Sequence, residues 1–268
     1  MLQRLLPAIL LLAGLVVSSA TEVRGQSYFG RNKVQYRAID MQVIETEHFL
    51  IHFDESTRIA ALAAAQMAER AYTRLSRILQ HEFREKKPII IYASHSEFQQ
   101  TNAIPDFIDE GTGAFAEPIR NRIVIPFTGA QAEFEHVLTH ELVHAFQFDV
   151  LYRRGLMTDA APFARPPLWF MEGMAEYLSI GHVDAHTQSW VRDASLAGYL
   201  RTIEQMSQQD DYLSYRFGQS LWAYIGANWG DEAIGVILQQ APRVGLSRAF
   251  QRTLGISVSE LGREWVSE

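Results

Sequence analysis

Leu138-Thr139-His140-Glu141-Leu142-Val143-His144-Ala145-Phe146-Gln147-Phe148-Asp149-Val150 is the stretch whose reading decides the fold. No Gly or Pro interrupts it, and its apolar residues recur at helical spacing, so it is expected to be a helix. Residues four apart on a helix lie about 40° apart around the axis and about 6 Å apart along it. His140 and His144 therefore project from one face, one turn apart. Two neutral imidazoles so placed can share one tetrahedral Zn2+ at about 2.0–2.1 Å each. Glu141 is rotated off that line. It can stand beside a metal without ligating it and take a proton from a water.

Two histidines leave a zinc site short of its usual three protein ligands. The segment Trp169-Phe170-Met171-Glu172-Gly173-Met174-Ala175-Glu176-Tyr177-Leu178 offers a third. Glu172 and Glu176 are four apart and share a helix face. One carboxylate can ligate the metal. The other can accept the distal N–H of a ligating histidine and so fix its tautomer. Glu172 is assigned to the metal and Glu176 to the histidine. A third histidine six residues past His144 is absent, because that position is Val150. Asp149, in the last turn, is read as a solvated carboxylate. His136, one turn upstream of His140, is read as a surface or supporting histidine rather than a ligand.

The chain around these motifs has 268 residues, 47% of them hydrophobic, enough for one large core or two lobes sharing a cleft. A formal net charge of −7 argues against a nucleic-acid partner, since such binding neutralises phosphates. Cysteine is absent, which excludes disulfides, Cys-rich zinc modules and a thiol nucleophile. Residues 1–20 look like a signal peptide: Arg4, an apolar run from Leu5 to Val17, and small residues before a cut after Ala20. The mature chain is expected to be exported (periplasm, envelope or extracellular), with no membrane span once the leader is gone.

Residues 21–40 read as an extended arm. Met41 to Phe53 alternates in part and reads as one or two strands. Ser56 is the expected N-cap of an Ala-rich helix from Thr57 to His81, with Ile59, Leu62, Met67, Ala71, Leu75, Ile78 and Leu79 as its apolar positions. Pro88 to Tyr92 is a buried strand, and Ser96 the cap of a short helical turn. Ala114–Glu117 and Asn121–Ile125 form two strands at a sheet edge beside the metal helix. Helices follow at 131–149 and Leu168–Ile180, separated by a Pro-rich loop (Pro162, Pro166, Pro167), and the chain is mainly helical from Thr187. Strands with one helix come first and helices after. That order predicts an α+β fold with an α/β lobe over 41–180, a helical lobe over 181–268, and the His140 helix at the seam.

His140-Glu141-x-x-His144 followed by Glu172-Gly-Met-Ala-Glu176 resembles the gluzincin metallopeptidases of the peptidase MA clan. Within that zincin-type clan the chain is most similar to bacterial peptidase-MA-like domains that often precede a TolB/WD40-like β-propeller. The likeness includes Phe29-Gly-Arg-Asn-Lys-Val-Gln-Tyr36 and Val43-Ile-Glu-Thr-Glu-His-Phe49, and it would make this chain a domain of a longer protein or a short member. The gap from His144 to Glu172 is longer than in the best-known members.

The resemblance implies a zinc-dependent endopeptidase acting on peptides or proteins. Its Tyr-x-x-Gly-x-Ser segment matches Tyr215-Arg-Phe-Gly218-Gln-Ser220, which makes Tyr215 the candidate oxyanion donor, with Tyr212 as rival. Gly113-Ala-Phe-Ala-Glu117 is similar to the start of the clan's substrate-aligning edge strand, to which a peptide could add. The aminopeptidase pattern that captures a free N-terminus is not reproduced. Ser220 is no nucleophile elbow, because Trp222 replaces the second glycine. The alternative class is a scaffold or binding module of the cell envelope that keeps the fold with little turnover. The intact Glu141 argues against it.

Overall fold

The computed structural model describes residues 32–152 and 166–268. The expected signal peptide, the expected arm up to residue 31 and the loop carrying Pro162 lie outside the described residues. Residues 32–40 have no regular secondary structure. They lie along the segment 97–104, with Lys33 Nζ donating to the Thr101 carbonyl (3.0 Å), Tyr36 N–H donating to Gln100 Oε1 (3.0 Å) and Arg37 paired with Glu97 (2.8 Å).

Five strands form one mixed sheet in the order β1-β2-β3-β5-β4. They are β1 (Met41–Glu45), β2 (Phe49–Asp54), β3 (Lys87–Tyr92), β4 (Phe115–Glu117) and β5 (Arg122–Pro126). The outer pairs, β1 with β2 and β4 with β5, are antiparallel, while β2, β3 and β5 run parallel. Helix α1 (Arg58–Leu79) makes the crossover between β2 and β3. The register places Ile51, Ile89 and Ile123 in one row, and Phe53, Ile91 and Ile125 in the next. Alternation turns both rows to the main core. The opposite face carries a smaller cluster of Tyr92, Phe98, Ile108 and Val124. Fully buried side chains of this kind contribute about 1.5–3 kcal/mol each.

Helix α1 buries Ala60, Ala61, Ala64, Ala65, Ala68 and Ala71. The apolar positions expected at Ile59 and Leu62 instead point outward, 86% and 49% exposed. A stripe of methyl groups allows close packing on that side, so the small residues set the helix's rotation. The expected cap also moves: Asp54, not Ser56, accepts a backbone N–H, that of Ser56, in the 3-10 turn before α1. The short α2 (His95–Phe98) is capped by Ser94, which accepts the Glu97 N–H, and not by Ser96.

The remaining helices are α3 (Gln131–Tyr152), α4 (Leu168–Ile180), α5 (Ala185–Ala197), α6 (Ile203–Met206), α7 (Tyr212–Trp229), α8 (Glu232–Val244), α9 (Leu246–Leu254) and α10 (Val258–Ser267). The fold is α+β as expected, strands first and helices after, with α3 between the two sets. No helix of the described residues is long and apolar enough to cross a membrane. One apolar core runs unbroken from Phe49 on β2 to Trp265 on α10.

Asp149 near the end of α3 corrects a sequence expectation. It is buried rather than solvated, 6% exposed. Lys87 at the start of β3 donates to its Oδ1 at 2.6 Å, His81 Nε2 lies 2.7 Å from its Oδ2, and Asn121 at the β4–β5 turn donates at 3.3 Å. One carboxylate thus ties the sheet, the end of α1 and the edge hairpin to the helix that carries His140. Helical periodicity in the sequence could not show those distant partners.

Helix α4 is buried on most sides and crosses α7 at unusually close range. A Cβ on Gly173 would collide with the main chain of Gly218, and one on Gly218 with the Trp169 carbonyl. This glycine contact fixes the depth of Glu172 relative to α7. Gly173→Ala is expected to lower stability in urea unfolding by about 1–3 kcal/mol, the usual cost of overpacking. An unchanged unfolding midpoint would contradict the close crossing.

Candidate active site

Helix α3 buries Leu138, Leu142, Val143, Ala145 and Phe146 completely. That leaves His140, Glu141 and His144 to face a cleft between the sheet edge and α4. Glu172 comes from the second turn of α4, whose entry is set by Pro167 at φ −58°. His140 Nε2 lies 3.2 Å from Glu172 Oε2, His144 Nε2 lies 3.1 Å from the same oxygen, and the two Nε2 atoms are 3.1 Å apart. Tetrahedral bonds of about 2.0–2.1 Å to a common cation would separate their ligand atoms by about 3.3–3.4 Å. The triangle fits a metal of that size with a shift of a few tenths of an ångström.

The outer ring nitrogens decide what the inner ones present. His140 Nδ1 faces Glu176 Oε1 at 3.4 Å, and His144 Nδ1 faces Gln147 Oε1 at 2.8 Å. Both partners are oxygens that accept, so each Nδ1 carries its proton and each Nε2 is the nitrogen turned inward, able to share a proton with Glu172 or to offer its lone pair to a cation. Two imidazole nitrogens and one carboxylate oxygen then point at one spot. Such an arrangement is unfavourable unless a positive charge lies among them.

The protonation equilibria follow this crowding. Burial alone would lower the His140 imidazolium, but hydrogen bonds to Glu172 and Glu176 and the charge of Glu141 outweigh it and lift the value to about 10. His144 also rises against the effect of burial, chiefly through the charge of Glu172. Glu172 is held far below the usual carboxylate range: burial acts upward, and His144 and His140 outweigh it. Glu141 goes the other way. Burial pushes it up, and the opposing pull of His144 and His140 is too weak to cancel that. A buried carboxylate of raised basicity in a cleft is suited to accept a proton.

Glu176 is also held low, against burial, by His140, Arg216 and His136. Arg216 Nη1 stands 3.3 Å from its Oε2, and His136 Nε2 3.8 Å. His136, His140 and Glu176 form a second group close enough to hold an ion. The Arg216 cation beside Glu176 disfavours it relative to His140, His144 and Glu172. Tyr215, in the first turn of α7, lies parallel to the His140 ring, with centroids 6.5 Å apart and planes 11° apart. Its phenol is pushed up by burial and by the charges of Glu172 and Glu141, and it is hydrogen-bonded to Glu172. Tyr212 stacks on the far side of Tyr215, is exposed, and accepts a hydrogen bond from Arg216 Nε at 2.8 Å. Of the two tyrosines, Tyr215 is the one whose phenol is coupled to the Glu172 carboxylate. Ser220 accepts from the Trp265 indole at 3.0 Å, in keeping with an ordinary helix serine.

These groups border a cavity of about 860 Å³. Edge strand β4 forms one wall, as expected for the Ala114–Glu117 segment, and the main chain of Ala116 hydrogen-bonds the Glu141 carboxylate. Sequence reasoning missed three contributors: Gln147, Arg216 and that Ala116 contact. Gln147, three residues past His144 on the same helix, carried a signal that could have been read. The other two depend on elements distant in the chain.

No curated protein matches the chain. Residues 123–265, more than half of the sequence, match the model of a family described as peptidase of plants and bacteria. The matched span starts in β5 and takes in both helices that carry the converging side chains. With a histidine pair, a basic buried carboxylate and a cleft edged by an open strand already in place, the chain belongs to that peptidase family.

Proposed function

We propose that this chain is an exported, zinc-dependent endopeptidase of the gluzincin kind, with His140, His144 and Glu172 as metal ligands. The observation that carries the reading is the convergence of three inward-facing ligand atoms beside the buried, proton-hungry Glu141. Zn2+ bound there would lower the pKa of a coordinated water toward about 7 and polarise the scissile carbonyl. Glu141 takes a proton from the attacking water and passes it to the leaving amine. Tyr215 donates its hydroxyl to the developing oxyanion; its raised pKa keeps that proton in place at neutral pH. Glu176 holds the His140 ring, and Arg216 offsets the charge of Glu176. The free edge of β4 aligns an extended peptide by main-chain hydrogen bonds. Export rests on the leader-like residues 1–20. Recovery from the expressing cell of a chain starting at Thr21 supports it, and an intact Met1 counts against it.

Glu141→Gln is expected to keep bound zinc and to reduce peptide hydrolysis by about 10²–10⁴-fold. Tyr215→Phe is expected to lower kcat by about 10²-fold with little change in KM. Peptide assays with metal analysis check both, and undiminished turnover in Glu141→Gln would remove Glu141 as base.

The metal-free site is expected to hold a proton until pH passes about 10, the raised value of His140. A cation must displace that proton, so zinc uptake at pH 7 releases protons and affinity falls as pH falls. Calorimetric titration in buffers of different ionisation enthalpy measures the release. Proton-neutral uptake would refute the raised value of His140.

A further inference from the structure

We propose that Gln147 is a positioning residue that sets both the His144 tautomer and the spacing of the two ligand-bearing helices. The inference rests on the metal reading above. Gln147 is fully buried, 0% exposed, on α3. Its Nε2 donates to the Met171 carbonyl at 2.9 Å, and its Oε1 lies 2.8 Å from His144 Nδ1. A carbonyl can only accept, so the Met171 contact fixes which end of the carboxamide carries NH₂. The oxygen must then face His144, and His144 Nδ1 must be the protonated nitrogen. Its Nε2 is left as the nitrogen that faces Glu172 and can bind a cation beside it.

Met171 is the residue immediately before Glu172. The same side chain therefore ties the main chain of α4, next to one ligand, to the ring of another ligand on α3. His140 has a different support, the Glu176 carboxylate, which is charged and itself paired with Arg216. The two rings are thus held by chemically distinct acceptors. A neutral amide fully enclosed by protein needs both of its hydrogen bonds, so its orientation is strongly enforced.

The test measures Zn2+ affinity by chelator competition on the full chain for wild type, Gln147→Leu, Gln147→Glu and His144→Ala. Gln147→Leu removes both bonds and is expected to weaken Zn2+ binding by about 10–100-fold. Gln147→Glu keeps an acceptor opposite Nδ1 and is expected to recover most of that loss, although it disturbs the Met171 contact. A purely packing role predicts the reverse order, since a buried carboxylate is the harsher change. Equal affinity of the Leu variant and wild type, or a Glu variant no tighter than the Leu variant, overturns the proposal. If the Leu variant does not fold, proton exchange at His144 Nδ1 in the zinc-loaded wild type decides: slow exchange supports the bond to Gln147, and fast exchange overturns it. His144→Ala separates the two levels, because unchanged Zn2+ binding in that variant defeats the metal reading itself.

Discussion

Two imidazole nitrogens and a carboxylate oxygen, none more than 3.2 Å from the others, all face one point. Without a proton or a cation among them they would repel, and free side chains would rotate apart. They stay together because each is tethered from behind: His140 to Glu176, His144 to Gln147, and Glu172 through a helix wedged between α3 and α7. Much of the surrounding architecture can be read as what that tethering requires. Helix α3 is buried along most of its length, so its two rings cannot shift by moving the backbone. Helix α4 sits at a depth set by the meeting of Gly173 and Gly218. Asp149 locks the far end of α3 to the sheet through Lys87 and His81.

The same cleft holds three carboxylates whose protonation is pushed in different directions, and environment alone separates them. Glu172 and Glu176 each lie against imidazoles, and Glu176 also against Arg216, so both stay ionised. Glu141, whose burial outweighs the opposing pull of His144 and His140, becomes basic. Pairs of titratable groups pushed in opposite directions are the usual mark of divided roles in a catalytic site. The hydrogen bond from the Ala116 main chain to Glu141 joins this carboxylate to the strand at the open edge of the sheet. In the proposed mechanism, substrate alignment and proton transfer would share that local contact.

The element order, the α+β class and several boundaries were legible because they rest on local signals. Leu168–Ile180 is bounded by Pro167 and Gly181, and the sequence predicts those limits. The β-branched runs at β3 and β5 needed no partner to be recognised. Legibility failed where a position's meaning depends on what lies across from it. Ile59 has the right residue type for the core but the wrong angle once alanines set the packing face. Asp54 and Ser94 displaced neighbouring serines as caps, since a shift of one or two residues costs little locally.

At the site, the sequence by itself determined the pair His140 and His144 on one helix face, Glu141 beside them, and Glu172 with Glu176 one turn apart on another helix. Helical geometry is enough for that, because every relation lies within one element. Only the tertiary structure decided that the two helices meet, which carboxylate faces both rings, and that Tyr215 is the tyrosine coupled to Glu172. It alone decided the charges as well, since burial and through-space partners set them. Spacing along a chain fixes direction within a helix, whereas convergence between helices is fixed by the packed core that holds them.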